Sequence, residues 1–370
     1  MVASIFAAAQ FFSRTSALRN AYQSGQRARL LLLGDSNTAG WGANGAGGGA
    51  GSNAGNATNY LRTKSYVQET ATQLAASGYR IRSDGFLGSG ASAANTIAEA
   101  VAANPSLAFG ANWSVWTGNL FIGAYSFLCA SSNTTTDMTY TPTVAADRFD
   151  IYFSTFVGGG IFRVADSGGN LQTGISTNSA ESFQKVTVSR AVASTLAITL
   201  RQTTTGGLFI LGIIPWNTTS PRLELINCGY AGSKVSDWQD TSHAYSPFNA
   251  VPLVGAEAVS IDLGPNDAFA SVTPAQYQTN LQALITQFKP VSNVILIKPA
   301  TSSDSHNPPA GYMTAIDTLV STNGLAQAPD FNSISMLSSD RFDSVHFASA
   351  GQVKEANVLK PALAAIIGNP

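Results

Sequence analysis

The sequence predicts an α/β fold carrying a large β-rich segment, and three observations lead to that expectation. Residues 28–34, ARLLLLG, are an unbroken apolar run, the pattern of a strand buried on both faces of a parallel sheet. From residue 222 onward, short apolar runs alternate with helical patterns, the rhythm of parallel strands joined by crossover helices. Between about 88 and 222 the pattern changes to short β-like runs separated by Gly, Ser, Thr and Asn clusters, as in a β-sandwich. The economical arrangement is one discontinuous α/β host, residues 1–87 and 223–370, with a β-sandwich inserted over 88–222.

Taken in order, MVASIFAAAQFF is apolar but lacks a basic start and a cleavage site, so it reads as an amphipathic helix continuing through SRTSALRNAYQSG. After the strand at 28–34, residues 42–58 hold seven glycines and no apolar side chain larger than alanine, a flexible loop. Residues 63–77 have a helical pattern ended by Gly78, and 79–83 suit a short strand. A helix at 92–103 precedes the β-like runs NLFIGAYSFL, FDIYFSTFV, GIFRVAD, SFQKVTVS, STLAITLRQ and GLFILGIIPW. The host then resumes with strands at 222–229, 258–264 and 293–300, helices at 274–288 and 309–322, a short strand near 331–337 and a last helix over 348–366.

Composition narrows the function. The chain of 370 residues has 20 basic and 21 acidic side chains and no basic block, which argues against a nucleic-acid partner. No apolar run reaches the roughly 18 residues of a membrane span. Only 11% of residues are charged, and Ser, Thr, Asn and Gly supply much of the polar surface, which suits a secreted or periplasmic protein or one that meets carbohydrate. Cys129 and Cys228 show no metal spacing and read as small buried side chains, a disulfide between them remaining open. Three scattered histidines and two cysteines do not make a metal site, and no cofactor is expected.

Parallel strands present functional residues at their carboxyl ends. Those ends read GDSN with Ser36, NCGYAGS with Gly229 and Gly232, GPND with Asn266 and Asp267, and IKPATSSDSH, while DSVHFASAGQ precedes the last helix with Asp343 and His346. A serine needs a base to become a nucleophile, a histidine base needs a carboxylate to fix its tautomer, and a tetrahedral intermediate needs donors for its oxyanion. Asp343 and His346, three residues apart in a turn, suit the base and its orienting acid. Gly232 leaves a backbone N–H accessible, and Asn266 offers an amide.

This ordered set resembles the SGNH (GDSL-type) serine hydrolase family, named for its Ser, Gly, Asn and His. The resemblance covers the host portions, a little over half the chain. It implies Ser36 as nucleophile, Gly232 and Asn266 as oxyanion donors beside the backbone N–H of Ser36, Asp343 as orienting acid and His346 as base. It also implies a flavodoxin-like three-layer α/β/α sandwich. Some members carry a β-sandwich, often carbohydrate-binding, between the first two blocks, and by that analogy the expected reaction is hydrolysis of a carboxylic ester through an acyl-enzyme, with acetate on a carbohydrate preferred. The alternatives are transfer of the acyl group to a sugar hydroxyl, and a carbohydrate-binding protein whose α/β part is a scaffold. The expected partner is thus a small-molecule or polysaccharide ester; oligomeric state is left open.

Other features compete for attention. GSGASA at 88–93 imitates a dinucleotide loop, but no acid follows at the required distance. Trp41 and Trp238 each follow a block closely and are balanced between core packing and lining a substrate pocket. Asp35, beside the nucleophile, and His306, paired with Asp304 in a Pro-rich loop that rims the site, complete the substrate-binding candidates. His243 sits in a polar loop with no obvious acid partner and reads as solvated.

Overall fold

The computed structural model describes residues 16–44, 62–90, 96–130 and 134–370. Most of the glycine-rich loop, residues 1–15 of the expected first helix, and the later part of GSGASA lie outside them.

The apolar run folds as the strand Ala28–Gly34, buried at every position. It is the centre of a five-stranded parallel sheet in the order Asn293–Leu296, Ala258–Asp262, Ala28–Gly34, Leu223–Gly229, Ile81–Arg82. Alternate side chains explain why so continuous an apolar run is needed. Leu31 and Leu33 enter one core cluster with residues of the helices Pro247–Val254, Pro274–Phe288 and Ala310–Asn323. Leu30 and Leu32 enter a second, with residues of Ser16–Gln23, Tyr66–Ala76 and Ser349–Ile367. Both faces of the sheet are therefore covered by helices, and each fully buried leucine contributes about 1.5–3 kcal/mol. Local signals set the helix starts: Thr273 caps Pro274–Phe288 by accepting from the N–H of Gln276, with Pro274 at the first helical position.

Sheet topology places the site. After Ala28–Gly34 the chain fills the sheet on one side with Ile81–Arg82 and Leu223–Gly229, then crosses to build Ala258–Asp262 and Asn293–Leu296 on the other. The order reverses at the central strand, so a crevice opens at its carboxyl end. Gly34 is in register with Gly229 on one neighbour and Asp262 on the other, which brings the three strand ends level.

The segment between the first and third parallel strands forms two antiparallel sheets. One comprises Ser182–Ser194, Ala146–Thr155, Leu208–Trp216, Ala124–Cys129 and Trp113–Phe121, with Phe86–Leu87 paired to Leu208–Trp216. The other comprises Gly169–Ser176, Ile161–Asp166, Ile198–Gln202, Met138–Tyr140 and Leu107–Phe109. Phe149, Ile151 and Phe153 join a cluster with Met138, Phe162 and Leu200 of the second sheet, whereas Tyr152, one residue out of phase, joins the host cluster of Leu31 and Val259. Cys129 and Cys228 are buried thiols in these two different clusters.

The β-like run NLFIGAYSFL holds the end of Trp113–Phe121, a tight turn and most of Ala124–Cys129. Two expectations require correction. Residues 331–337 form no strand: the Asp330 side chain accepts from the N–H of Ser333 and the N–H of Ile334 donates to the Phe331 carbonyl, so local turns take groups a ladder would need. His243 does have an acid, Glu181, 2.9 Å away from the antiparallel segment, a partner that sequence distance hid.

Candidate active site

The strand Ala28–Gly34 ends on Asp35, which accepts the N–H of Asn37 at 2.9 Å and so caps a one-turn helix, Ser36–Ala39. Ser36 is its first residue. The turn is clamped from below: Asn227 donates to the Thr38 carbonyl at 2.6 Å, the Thr38 and Tyr66 hydroxyls are 2.9 Å apart, and Tyr66 donates to Asp262 at 3.0 Å. Gly229 permits this close approach, since a Cβ there would stand 2.2 Å from the nitrogen of Ala39.

His346 Nε2 lies 2.9 Å from Ser36 Oγ, and His346 Nδ1 lies 2.7 Å from Asp343 Oδ2. The second carboxylate oxygen, Oδ1, accepts the N–H groups of Val345 and His346 at 2.8 and 2.6 Å. Asp343 therefore folds its own turn around the imidazole that it orients. Burial pushes its carboxyl up, but the His346 side chain and these N–H groups outweigh burial and hold it below the usual carboxylate range.

The carboxyls beneath the nucleophile behave in the opposite way. Burial raises Asp262 to about 7 in spite of the Tyr66 and Thr38 hydrogen bonds. Burial and then the nearby Asp262 raise Asp35 and Glu355 well above the ordinary range. The acid that keeps its charge most readily is thus the one against the imidazole, a separation that divides carboxyl roles.

Gly232 and Asn266 face the same cavity. Gly232 has φ +82°, a conformation that favours glycine. The loop around it is tied to Gly34 at the end of the central strand and to Asp267. The N–H of Tyr230 donates to the Gly34 carbonyl at 2.8 Å, Ser233 Oγ to the same carbonyl at 3.3 Å, and the N–H of Val235 to Asp267 at 3.1 Å. Burial raises Asp267 to about 6, partly offset by the Val235 N–H. Asn266 Nδ2 donates to the Ser233 carbonyl at 3.1 Å, and an amide nitrogen has a second N–H to offer.

The cavity, about 360 Å³, is lined by Ser36, Trp41, Tyr125, Tyr230, Ala231, Gly232, Asn266, His306, Val345 and His346. Of the sequence candidates, Ser36, Gly232, Asn266, His346, Trp41 and His306 meet there, with Asp343 behind His346. The Trp41 ring centroid is 5.6 Å from that of His346. Asp35 and Trp238 are not among the lining residues. Asp35 is buried as the helix cap, and Trp238 is a core residue whose Nε1 donates to Ser233 Oγ at 3.2 Å, steadying the Gly232 loop from behind.

Sequence reasoning missed Tyr125 and Tyr230, whose rings meet at 6.1 Å in an edge-to-face pair. Tyr230 sits inside the NCGYAGS block and was within reach of that reading. Tyr125 comes from the antiparallel strand Ala124–Cys129, and nothing in its local sequence marks it.

No family model and no curated protein matches the chain. Its fold is similar to that of a peptidoglycan O-acetylesterase captured in action, with 16% identity, TM-score 0.65, and 96% of this chain covering 95% of that one. Smaller overlaps occur with a family two carbohydrate esterase from Clostridium thermocellum (12% identity, TM-score 0.34, 71% of this chain, 99% of that chain) and a lipolytic protein of the G-D-S-L family from Desulfitobacterium hafniense (17% identity, TM-score 0.32, 38% of this chain, 81% of that chain). The chain thus shares its fold with that O-acetylesterase structure, and its own parallel sheet is covered on both faces.

Proposed function

We propose that the protein is a serine esterase that removes short acyl groups, acetyl foremost, from a carbohydrate. The observation that carries this reading is the hydrogen-bond chain from Ser36 Oγ through His346 to Asp343, opening on a cavity with two candidate oxyanion donors. In this mechanism His346 Nε2 takes the Ser36 proton as Oγ attacks the ester carbonyl. The backbone N–H groups of Ser36 and Gly232 and the Asn266 amide receive the oxyanion. The imidazolium returns its proton to the departing alcohol oxygen as the C–O bond breaks, leaving an acyl-enzyme. Water, activated by His346, then releases the acid and restores Ser36.

The cavity volume suits a small acyl group with part of its alcohol, and its aromatic lining suits a sugar. Similarity of fold to a peptidoglycan O-acetylesterase agrees with an acetylated glycan as substrate class. The two antiparallel sheets with their shared core support the reading of an inserted β-sandwich over about 88–222, with Phe86–Leu87 paired to its strand Leu208–Trp216. Acetate release from ethyl acetate and from acetylated oligosaccharides, by wild type and Ser36→Ala, tests the assignment. An inactive wild type, or an equally active alanine variant, overturns it.

A further inference from the structure

Beside the cavity stands a ring pair that takes no part in the Ser36–His346–Asp343 chain. His306, which lines the cavity, stacks face to face on Phe269 with centroids 4.3 Å apart and planes 7° from parallel. Phe269 is 60% exposed, a large apolar ring left in water. It ends the five-residue helix Pro265–Phe269, whose second residue is the oxyanion candidate Asn266.

His306, like His346, has a carboxylate partner on Nδ1. Its Nδ1 lies 3.0 Å from Asp304 Oδ1, and its N–H donates to the same oxygen at 2.9 Å. Asp304 Oδ2 accepts from Ser344 Oγ at 2.6 Å, and the N–H of Ser303 donates to the Ser344 carbonyl at 2.9 Å. Ser344 belongs to the turn that carries Asp343 and His346, so the ring pair is fixed to both the oxyanion helix and the base loop. Burial pushes Asp304 up, but the Ser344 and His306 hydrogen bonds hold it below the usual carboxylate range. In the neutral imidazole with Nδ1–H donating to Asp304, Nε2 of His306 is a hydrogen-bond acceptor.

A flat apolar ring next to a fixed acceptor nitrogen, at the mouth of an esterase cavity, matches one kind of leaving group. A pyranose presents an apolar C–H face and, at its edge, hydroxyls that donate. We propose that Phe269 and His306 form the leaving-group subsite, which takes the sugar ring bearing the ester. Phe269 packs on the C–H face, and His306 Nε2 accepts from a hydroxyl adjoining the ester oxygen. Held there, the sugar oxygen stays aligned to receive the proton from His346 as its bond to the acyl carbon breaks. This inference rests on the esterase reading above and adds the recognition of its alcohol.

The test compares kcat/KM for acetylated cellobiose with kcat/KM for ethyl acetate, whose alcohol is too small to span the ring pair. Phe269→Ala lowers that ratio at least tenfold, chiefly through KM, while Phe269→Trp keeps it within threefold because a flat ring is restored. His306→Leu, which removes the acceptor nitrogen but retains bulk, also lowers the ratio. Unfolding curves matching wild type accompany each variant. A ratio unchanged in both Phe269→Ala and His306→Leu overturns the subsite. A wild type that hydrolyses ethyl acetate but no acetylated cellobiose overturns the subsite alone, whereas a wild type inactive on both defeats the esterase reading itself.

Discussion

His346 Nε2 stands 2.9 Å from Ser36 Oγ although 310 residues separate the two in the chain. The contact joins the end of the central strand to the turn before the last helix. It forms because that helix, Ser349–Ile367, packs on the same face of the sheet as Leu30 and Leu32. Packing energy spread over the helix thus sets the distance between these two side chains.

Loss of the Ser36 hydroxyl should abolish turnover without unfolding the protein. We expect Ser36→Ala to lower kcat on ethyl acetate by at least about 10³-fold, as for other triad deletions. The one-turn helix keeps its Asp35 cap and its clamps, so circular dichroism and the unfolding midpoint should match wild type. A serine-directed phosphonate should modify Ser36 in the wild type, as read by mass spectrometry of its peptides.

Asp343→Asn should retain the fold and lose about 10³–10⁴-fold in kcat. An amide placed at Oδ2 cannot accept Nδ1–H while also stabilising the imidazolium, so the ring is left in the wrong tautomer. His346→Ala should cost at least as much, and more than His306→Ala, which leaves the 2.7 Å Asp343–His346 pair untouched. Steady-state kinetics of the three variants on one small ester decides which histidine is the base.

Asn266→Ala should reduce kcat by about 10²–10³-fold with a smaller change in KM. In the proposed mechanism the amide's second N–H meets charge that develops only in the tetrahedral intermediate. Because Asn266 also donates to the Ser233 carbonyl at 3.1 Å, Asn266→Ser offers a milder loss of the same kind. A raised KM with kcat unchanged in both variants would instead assign the side chain to ground-state binding.

The buried acid Asp262 should make stability depend on pH. Its carboxyl titrates at about 7 in the folded protein, against an ordinary value of 3.8. The folded state then binds more protons than the unfolded chain between those values, so this contribution is full below pH ~4 and is lost as pH rises through about 7. Asp262→Asn removes the titration while leaving an oxygen for Tyr66. Denaturant unfolding at pH 5 and pH 8 should show a smaller fall in stability for the variant than for wild type.

Much of this site can be found in the sequence because its parts are local. GDSN, NCGYAGS, GPND and DSVH are each a short continuous stretch at a strand end or before a helix that hydrophobic pattern reveals. Asp343 lies three residues from His346, and the turn itself closes their contact through the N–H groups of Val345 and His346. The unbroken apolar run before Ser36 likewise required a strand covered on both faces, whatever its neighbours were.

Other assignments needed the folded chain, because their partners are remote. Trp238 and Asp35 look like pocket residues in sequence, but sheet and helix packing turn one into the core and the other beneath its own helix. Tyr125 enters the cavity from an antiparallel strand more than a hundred residues before Tyr230, and His243 finds Glu181 across 62 positions. Periodicity reports which face of an element is buried and carries no information about what lies opposite. The sequence alone therefore supplied the candidate reactive groups and the strand ends that hold them. Tertiary packing decided which rings surround Ser36, because that choice depends on contacts between elements whose own patterns are independent of one another.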